Sequence, residues 1–264
     1  MIIRPRLVVF SDLDGTLLDH ETYEFAPARP ALKALRARDG VLVLASSKTA
    51  AEIAPLREAM GFAHCPAIIE NGAGILPPKT GNLRKSESRY EELVRLVDTL
   101  PAELRRRYSG FSDWDAGEVA ACTGLSLEAA QLARQRDYSE PGIWSGTEEE
   151  FAAFCQALND KGVLVQKGGR FATLSFGGTK GERVRELLAG LEGKHTPVAS
   201  VALGDAPNDC DMLESVDIAI EIPNPAHAGI GKIARGGSQV LRRARLAGPA
   251  GWNEEMLAVL EEIE

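Results

Sequence analysis

The chain has 264 residues, 44% of them hydrophobic, enough for one large domain or two modest ones with a real core. A net charge of -8 and the absence of a dominant basic block argue against a nucleic-acid partner. No apolar run reaches membrane-spanning length and no signal peptide precedes the first strand; the four cysteines form no C-x-x-C pair, so a reduced, cytoplasmic protein is expected.

An apolar run at 7–10 predicts a buried strand that ends in Asp12 and Asp14. A strand's period of two starts both side chains from one face, and Gly15 lets the chain turn sharply after them. Two carboxylates at a strand's carboxyl end suit a cation and a phosphate. One can attack phosphorus while the other handles protons. A helix follows over 27–38, with Ala31, Leu32 and Leu35 at helical spacing and Asp39-Gly40 closing it. A second apolar strand, 41–45, runs into Ser46-Ser47-Lys48-Thr49; a helix over 50–60 stops at Gly61. A third strand, 67–69, leads to Glu70-Asn71-Gly72. Strands apolar throughout and alternating with helices predict a parallel sheet covered on both faces. Ligands of such sheets gather at the carboxyl ends of the strands, where Asp12, Ser46 and Asn71 fall.

The pattern changes after a turn-rich break at 77–82. Helices are predicted over 90–107, 115–122, 127–134 and 147–159, the last opened by a Thr147/Glu150 capping box. Strands at 163–166 and 171–175 flank Lys167-Gly168-Gly169-Arg170 and read as a hairpin. This region is expected to be an inserted α+β cap, 81–178, on a doubly wound α/β core formed by 1–80 and 179–264. Gly177-Gly178 marks the return. A helix over 180–191, a strand over 198–203, the acidic string Gly204-Asp205-Ala206-Pro207-Asn208-Asp209, a strand at 218–220 and a helix over 252–263 complete the chain.

Four strings, in this order, resemble the motifs of the haloacid-dehalogenase-like phosphohydrolases: Asp12 to Leu17, Ser46, Thr179-Lys180-Gly181 and Gly204 to Asp209. The resemblance implies an α/β core with a cap and a magnesium-dependent phosphatase. Asp12 is then the nucleophile and Asp14 the acid and base. Mg2+ falls to Asp12, the Asp14 carbonyl, Asp205 and Asp209. Phosphate falls to Asp12, Leu13, Asp14, Lys180 and Asn208 and to Ser46, with Ser47 as competitor. More narrowly, Ser46 to Thr49, Glu70 to Ala73, Arg136 to Pro141 and Gly168 to Phe171 resemble the mannosyl-3-phosphoglycerate phosphatase family. That implies a phosphorylated glycoside substrate and a monomer or homodimer. The implied substrate contacts are Lys48, Glu70, Asn71, Gln166, Lys167, Gly168, Gly169 and Arg170. Thr173 stands where that family is expected to carry histidine, which leaves the glycosyl group open. A general sugar-phosphate phosphatase or phosphomutase is the alternative; a non-catalytic phospho-ligand sensor lies further off.

Overall fold

The computed structural model describes residues 5–79, 88–191, 197–225, 229–234 and 239–263. The fold is α/β, a doubly wound, mainly parallel core with an inserted α+β cap. The core strands are β1 (Arg6–Ser11), β2 (Val41–Ala45), β3 (Ala67–Ile69) and β4 (Gly74–Leu76). They are joined much later by β9 (Val198–Gly204), β10 (Ile218–Glu221) and β11 (Val240–Arg243). Their spatial order is β11-β10-β9-β1-β2-β3-β4, all parallel except β4, which returns antiparallel beside β3. β1 is buried from Leu7 to Ser11 and pairs with β9 on one side and β2 on the other. The direction of winding therefore reverses at β1, which opens a crevice at its carboxyl end. Asp12 is the residue that follows.

The core helices are α1 (Arg29–Ala37), α2 (Ala50–Ala59), α8 (Lys180–Ala189), α9 (Cys210–Leu213) and α10 (Gly248–Glu262). α10 starts four residues before the predicted helix, with Pro249 in its first turn, where a missing amide costs nothing. α2 and α8 both open with capping boxes, Thr49/Glu52 and Thr179/Glu182.

Between β4 and α8 the chain builds a second sheet, antiparallel throughout. Its order is β5 (Tyr108–Gly110), β6 (Ser139–Trp144), β8 (Phe171–Ser175) and β7 (Leu164–Gly168). Its helices are α3 (Tyr90–Asp98), α4 (Ala102–Arg105), α5 (Ala116–Thr123), α6 (Leu127–Ala133) and α7 (Glu148–Asn159). The helix expected over 90–107 is two, because Pro101 stands between α3 and α4. Two apolar clusters hold this sheet, both separate from the core's. Leu93, Val97, Tyr108, Phe154, Leu158, Ala172 and Leu174 fill one. Phe111, Val119, Ala130 and Ala133, with Phe171 packed on them, form the other.

The register of the β7–β8 hairpin fixes what its residues face. Val165 pairs with Leu174 and Lys167 with Ala172, so these four share the face packed by α7. Gln166 with Thr173, and Gly168 with Phe171, lie on the other face.

Candidate active site

Asp12 follows β1 directly, and its amide donates to the Leu203 carbonyl of β9 at 2.9 Å. Ser11, the last residue of β1, donates its hydroxyl to the Asp12 carbonyl at 2.7 Å. That hydroxyl in turn accepts from Trp252 Nε1 at 3.0 Å. The nucleophile candidate is thus held through its backbone by two neighbouring strands and a core helix.

Lys180, the first residue of α8, is 2% exposed. Its ammonium lies 2.6 Å from both Asp12 Oδ1 and Asp209 Oδ1. Burial alone would lower the Lys180 pKa, but Asp12 and Asp209 outweigh it and hold the group charged well above its usual range. Burial raises the Asp12 carboxyl, and the charges of Asp209 and Asp205 add to this against the pull of Lys180. Carboxylate oxygens of Asp12, Asp205 and Asp209 lie within 4.8 Å of one another, and all three residues are buried. One ammonium against three carboxylates leaves the centre short of positive charge, so it favours a cation.

The supports of this centre are polar and specific. Asp205 accepts from Thr16 Oγ1 at 2.6 Å and from Asn224 Nδ2 at 2.7 Å. Asp209 Oδ2 accepts from the Asp205 and Ala206 amides, both at 3.1 Å, which closes the acidic loop on itself. Gly15 has φ +86, and a Cβ there would run into the Asn224 amide, so only glycine fits. The sequence motifs assign no role to Thr16 and Asn224. The available signal was weak: a polar residue between two prolines, Pro223 and Pro225, just past a buried strand.

Asp14 stands beside this group rather than in it. Its Oδ2 pairs with Lys48 Nζ at 3.0 Å, while Oδ1 is buried and has no hydrogen-bond partner among the described residues. Burial would lower the Lys48 pKa, but Asp14 outweighs it and keeps the amine charged. Ser46 is buried and its Oγ accepts from the Lys48 amide at 3.2 Å; Ser47 is exposed. Asn71 donates its amide to the Ser46 carbonyl at 2.9 Å, and its side chain accepts from Asn208 Nδ2 at 3.4 Å. Asp12, Asp205, Asp209 and Lys180 thus form one contact set. Asp14 and Lys48 pair beside it, and Asn71 ties Ser46 to Asn208.

The structure does not bring the other candidates into this set. Glu70 is buried and turned onto the cap: Oε1 accepts from the Asp137 amide, and Oε2 from the Tyr138 and Ser139 amides and the Ser139 hydroxyl. Arg136 Nε closes the brace at 3.3 Å. In this geometry Glu70 fastens cap to core. Lys167 pairs with Glu148 of α7 at 3.0 Å. Arg170 donates to the Cys122 carbonyl at the end of α5, at 2.6 Å. Gln166, Gly168 and Gly169 are exposed on the hairpin.

A lysine-braced acidic centre at the reversal point of a doubly wound sheet is the equipment of a phosphoryl-transfer enzyme. Residues 9–109 match the family model of the haloacid dehalogenase-like hydrolases. Over 96% of its length the chain is 32% identical to the glucosyl-3-phosphoglycerate/mannosyl-3-phosphoglycerate phosphatase of Methanococcoides burtonii, 97% of which is covered. Among solved structures, a Thermotoga maritima protein superposes with a TM-score of 0.66 at 19% identity, covering 98% of each chain. The Synechocystis sucrose-phosphatase, solved with sucrose and phosphate, superposes with a TM-score of 0.60 at 14% identity, over 97% of this chain and 98% of that one. The chain belongs to the haloacid dehalogenase-like hydrolases, and it is a phosphatase. No helix among the described residues is long and apolar enough to cross a membrane.

Proposed function

We propose that this phosphatase hydrolyses mannosyl-3-phosphoglycerate, or a close glycosyl relative, to the glycosylglycerate and phosphate, with Mg2+ as cofactor. The observation that carries the chemistry is the contrast between the two aspartates. Asp12 is buried against Lys180, whereas Asp14 pairs with Lys48 and keeps a buried Oδ1 with no hydrogen-bond partner among the described residues. The substrate rests on the name of the Methanococcoides burtonii relative.

Asp12 attacks phosphorus and forms an aspartyl-phosphate as the bond to the substrate oxygen breaks. Asp14 acts as the general acid that delivers a proton to the departing alkoxide. It then takes a proton from water, which attacks the phosphoaspartate and frees Asp12. Lys180 and the Ser46 hydroxyl hold phosphoryl oxygens as charge shifts among them. The donor set of Asp12, Asp205 and Asp209 is all oxygen, within 4.8 Å and short of positive charge, which fits a small hard cation. When bound, Mg2+ supplies charge neutralisation for the phosphoryl oxygens.

Phosphate release from glycosyl-3-phosphoglycerates, plain hexose phosphates and acetyl phosphate, with Mg2+ and with chelator, tests this reading. The glycosyl ester should give the highest kcat/KM, and chelation should stop turnover. Equal rates on hexose phosphates would return the enzyme to a general sugar phosphatase. Full activity with chelator would remove the metal.

A further inference from the structure

The leaving group of the proposed substrate is a sugar joined to a glycerate, and the hairpin cations expected to hold it are committed within the cap: Lys167 to Glu148, Arg170 to the Cys122 carbonyl. On the core side, one exposed aromatic residue stands beside the catalytic pair. Tyr23 lies in the loop between β1 and α1 and keeps 49% of its surface open. Lys48 Nζ sits 5.3 Å from the centre of its ring, and that same ammonium is 3.0 Å from Asp14 Oδ2. A single ammonium therefore separates the ring from the acid that must protonate the leaving oxygen.

The backbone at Tyr23 is strained. Its φ is +56, a region in which a bulky side chain is a genuine outlier. A tight turn holds it there. The Tyr23 amide donates to the Asp19 carbonyl at 3.0 Å, and the Asp19 amide donates to the Glu24 carbonyl at 2.9 Å. Asp19 Oδ1 accepts from the Thr22 amide and hydroxyl, both at 2.9 Å, and from the Glu21 amide at 3.2 Å. Strain of this kind persists only where its surroundings over-determine it, and it clusters at ligand contacts. Here the surroundings hold a half-exposed aromatic ring against the Lys48 ammonium.

We propose that Tyr23 is a specificity residue, the platform on which the glycosyl ring of the leaving group packs, with Lys48 facing the glycerate carboxylate. The inference rests on the substrate class proposed above. Once the leaving oxygen is within reach of Asp14, the next atoms of the leaving group lie beside Lys48 and the ring. The apolar C–H face of a sugar suits the electron-rich face of an aromatic ring, and a carboxylate suits the ammonium. Recognition of the sugar thus belongs to the core's own loop.

The test is the ratio of kcat/KM for the glycosyl-3-phosphoglycerate to that for 3-phosphoglycerate, whose alkoxide also needs the Asp14 proton but which has no sugar ring to stack. In Tyr23→Ala this ratio should fall by about tenfold or more, mainly through KM. Tyr23→Phe keeps the ring and should stay within about twofold of wild type. Equal losses on both substrates would show that the loop serves Asp14 or the fold, and an unchanged ratio would remove the platform. The wild-type panel reports separately on the substrate. Should the wild type prefer another sugar phosphate, that ester replaces the first in the ratio, and Tyr23 is judged on it.

Discussion

Replacing Glu70 with alanine should cost the fold about 3–5 kcal/mol, the scale of breaking a buried ion pair by removing one partner. The Glu70 side chain is fully buried and Arg136 is 6% exposed, so water screens neither. The carboxylate answers three consecutive amides, Asp137, Tyr138 and Ser139, at 2.8, 3.1 and 2.8 Å. Orphaning all three at about 1–3 kcal/mol each would suggest a larger loss. Two effects bring it down. The cavity admits water to the amides, and Arg136 keeps the Ser139 carbonyl and hydroxyl at 2.9 and 2.8 Å. Glu70→Gln keeps the volume but turns an NH2 toward at least one donor, so about 2 kcal/mol is expected. Urea unfolding gives the total, and hydrogen exchange at residues 137–139 localises it. Those amides should exchange faster in Glu70→Ala than in wild type. A variant with an unchanged urea midpoint and unchanged protection there would refute the brace.

Asp12→Asn should reduce turnover to background, because an amide is a poor nucleophile, while Asp14→Asn should lower kcat by about 10²–10⁴ through lost proton transfer; wild-type rates in Asp12→Asn would end the covalent mechanism. Mg2+ should raise the wild-type melting temperature by binding the folded state alone, and Asp205→Asn should demand more Mg2+ for the same rise; identical titrations would move the cation elsewhere. Ser11→Ala should lower kcat by about five- to tenfold, the worth of one hydrogen bond, by loosening the Asp12 peptide; Ser11→Thr keeps the hydroxyl and should restore the rate, and failure of that rescue would make Ser11 a packing residue. In the cap, burial pushes the Glu140 carboxyl above its ordinary value of 4.5, against hydrogen bonds from Ser112 and Tyr90. The folded state then holds this proton more tightly than the unfolded chain does, so its contribution is full below pH 4.5 and is lost as pH rises through the raised folded value. Glu140→Gln should remove that part of the slope of urea midpoint against pH, and an unchanged slope would assign it to other groups.

How legible these features were depended on how far away their causes lie. β2 runs over 41–45 as expected, because a strand buried on both faces must be apolar throughout. α7 follows its Thr147/Glu150 capping box, a purely local signal. β6 escaped notice because Pro141 and Gly142 sit inside an interior strand, where sequence preference argues against one. β11 is four residues with two arginines, and it is half-exposed. One of these, Arg243, is held by a double contact to Glu221 on β10 at 2.9 Å. Within the site, the acidic strings announced themselves. The partners of Asp205 did not, since Thr16 is 189 residues away and Asn224 lies across a loop. The bracing contacts of Glu70 are illegible in the sequence for a conformational reason. At φ +51 its side chain leaves toward the cap although its neighbour Asn71 reaches the acidic loop.

That conformation is shared by its neighbours, and the three residues make one argument. Glu70, Asn71 and Gly72 have φ of +51, +57 and +95, so two non-glycine residues in a row occupy a region costing about 1–2 kcal/mol each. The cost is offset by what the turn holds. The Glu70 amide donates to the Lys48 carbonyl at 3.0 Å and the Asn71 amide to the Ser46 carbonyl at 2.9 Å, which fixes the loop that follows β2. The Gly72 carbonyl accepts from Arg183 Nε at 3.0 Å, and the backbone lies so close to Thr179 that a Cβ would collide with it. That close approach sets the start of α8, and with it Lys180. The Asn71 side chain meets Asn208 of the acidic loop, and the Glu70 carboxylate takes the cap. The groups proposed to meet the phosphoryl oxygens come from separate strand ends. A turn with left-handed backbone throughout reaches all of them in three residues, where an extended segment would turn alternate side chains away. The strain in this turn is therefore the physical condition for tying the loop after β2, the start of α8, the acidic loop and the cap to one three-residue segment.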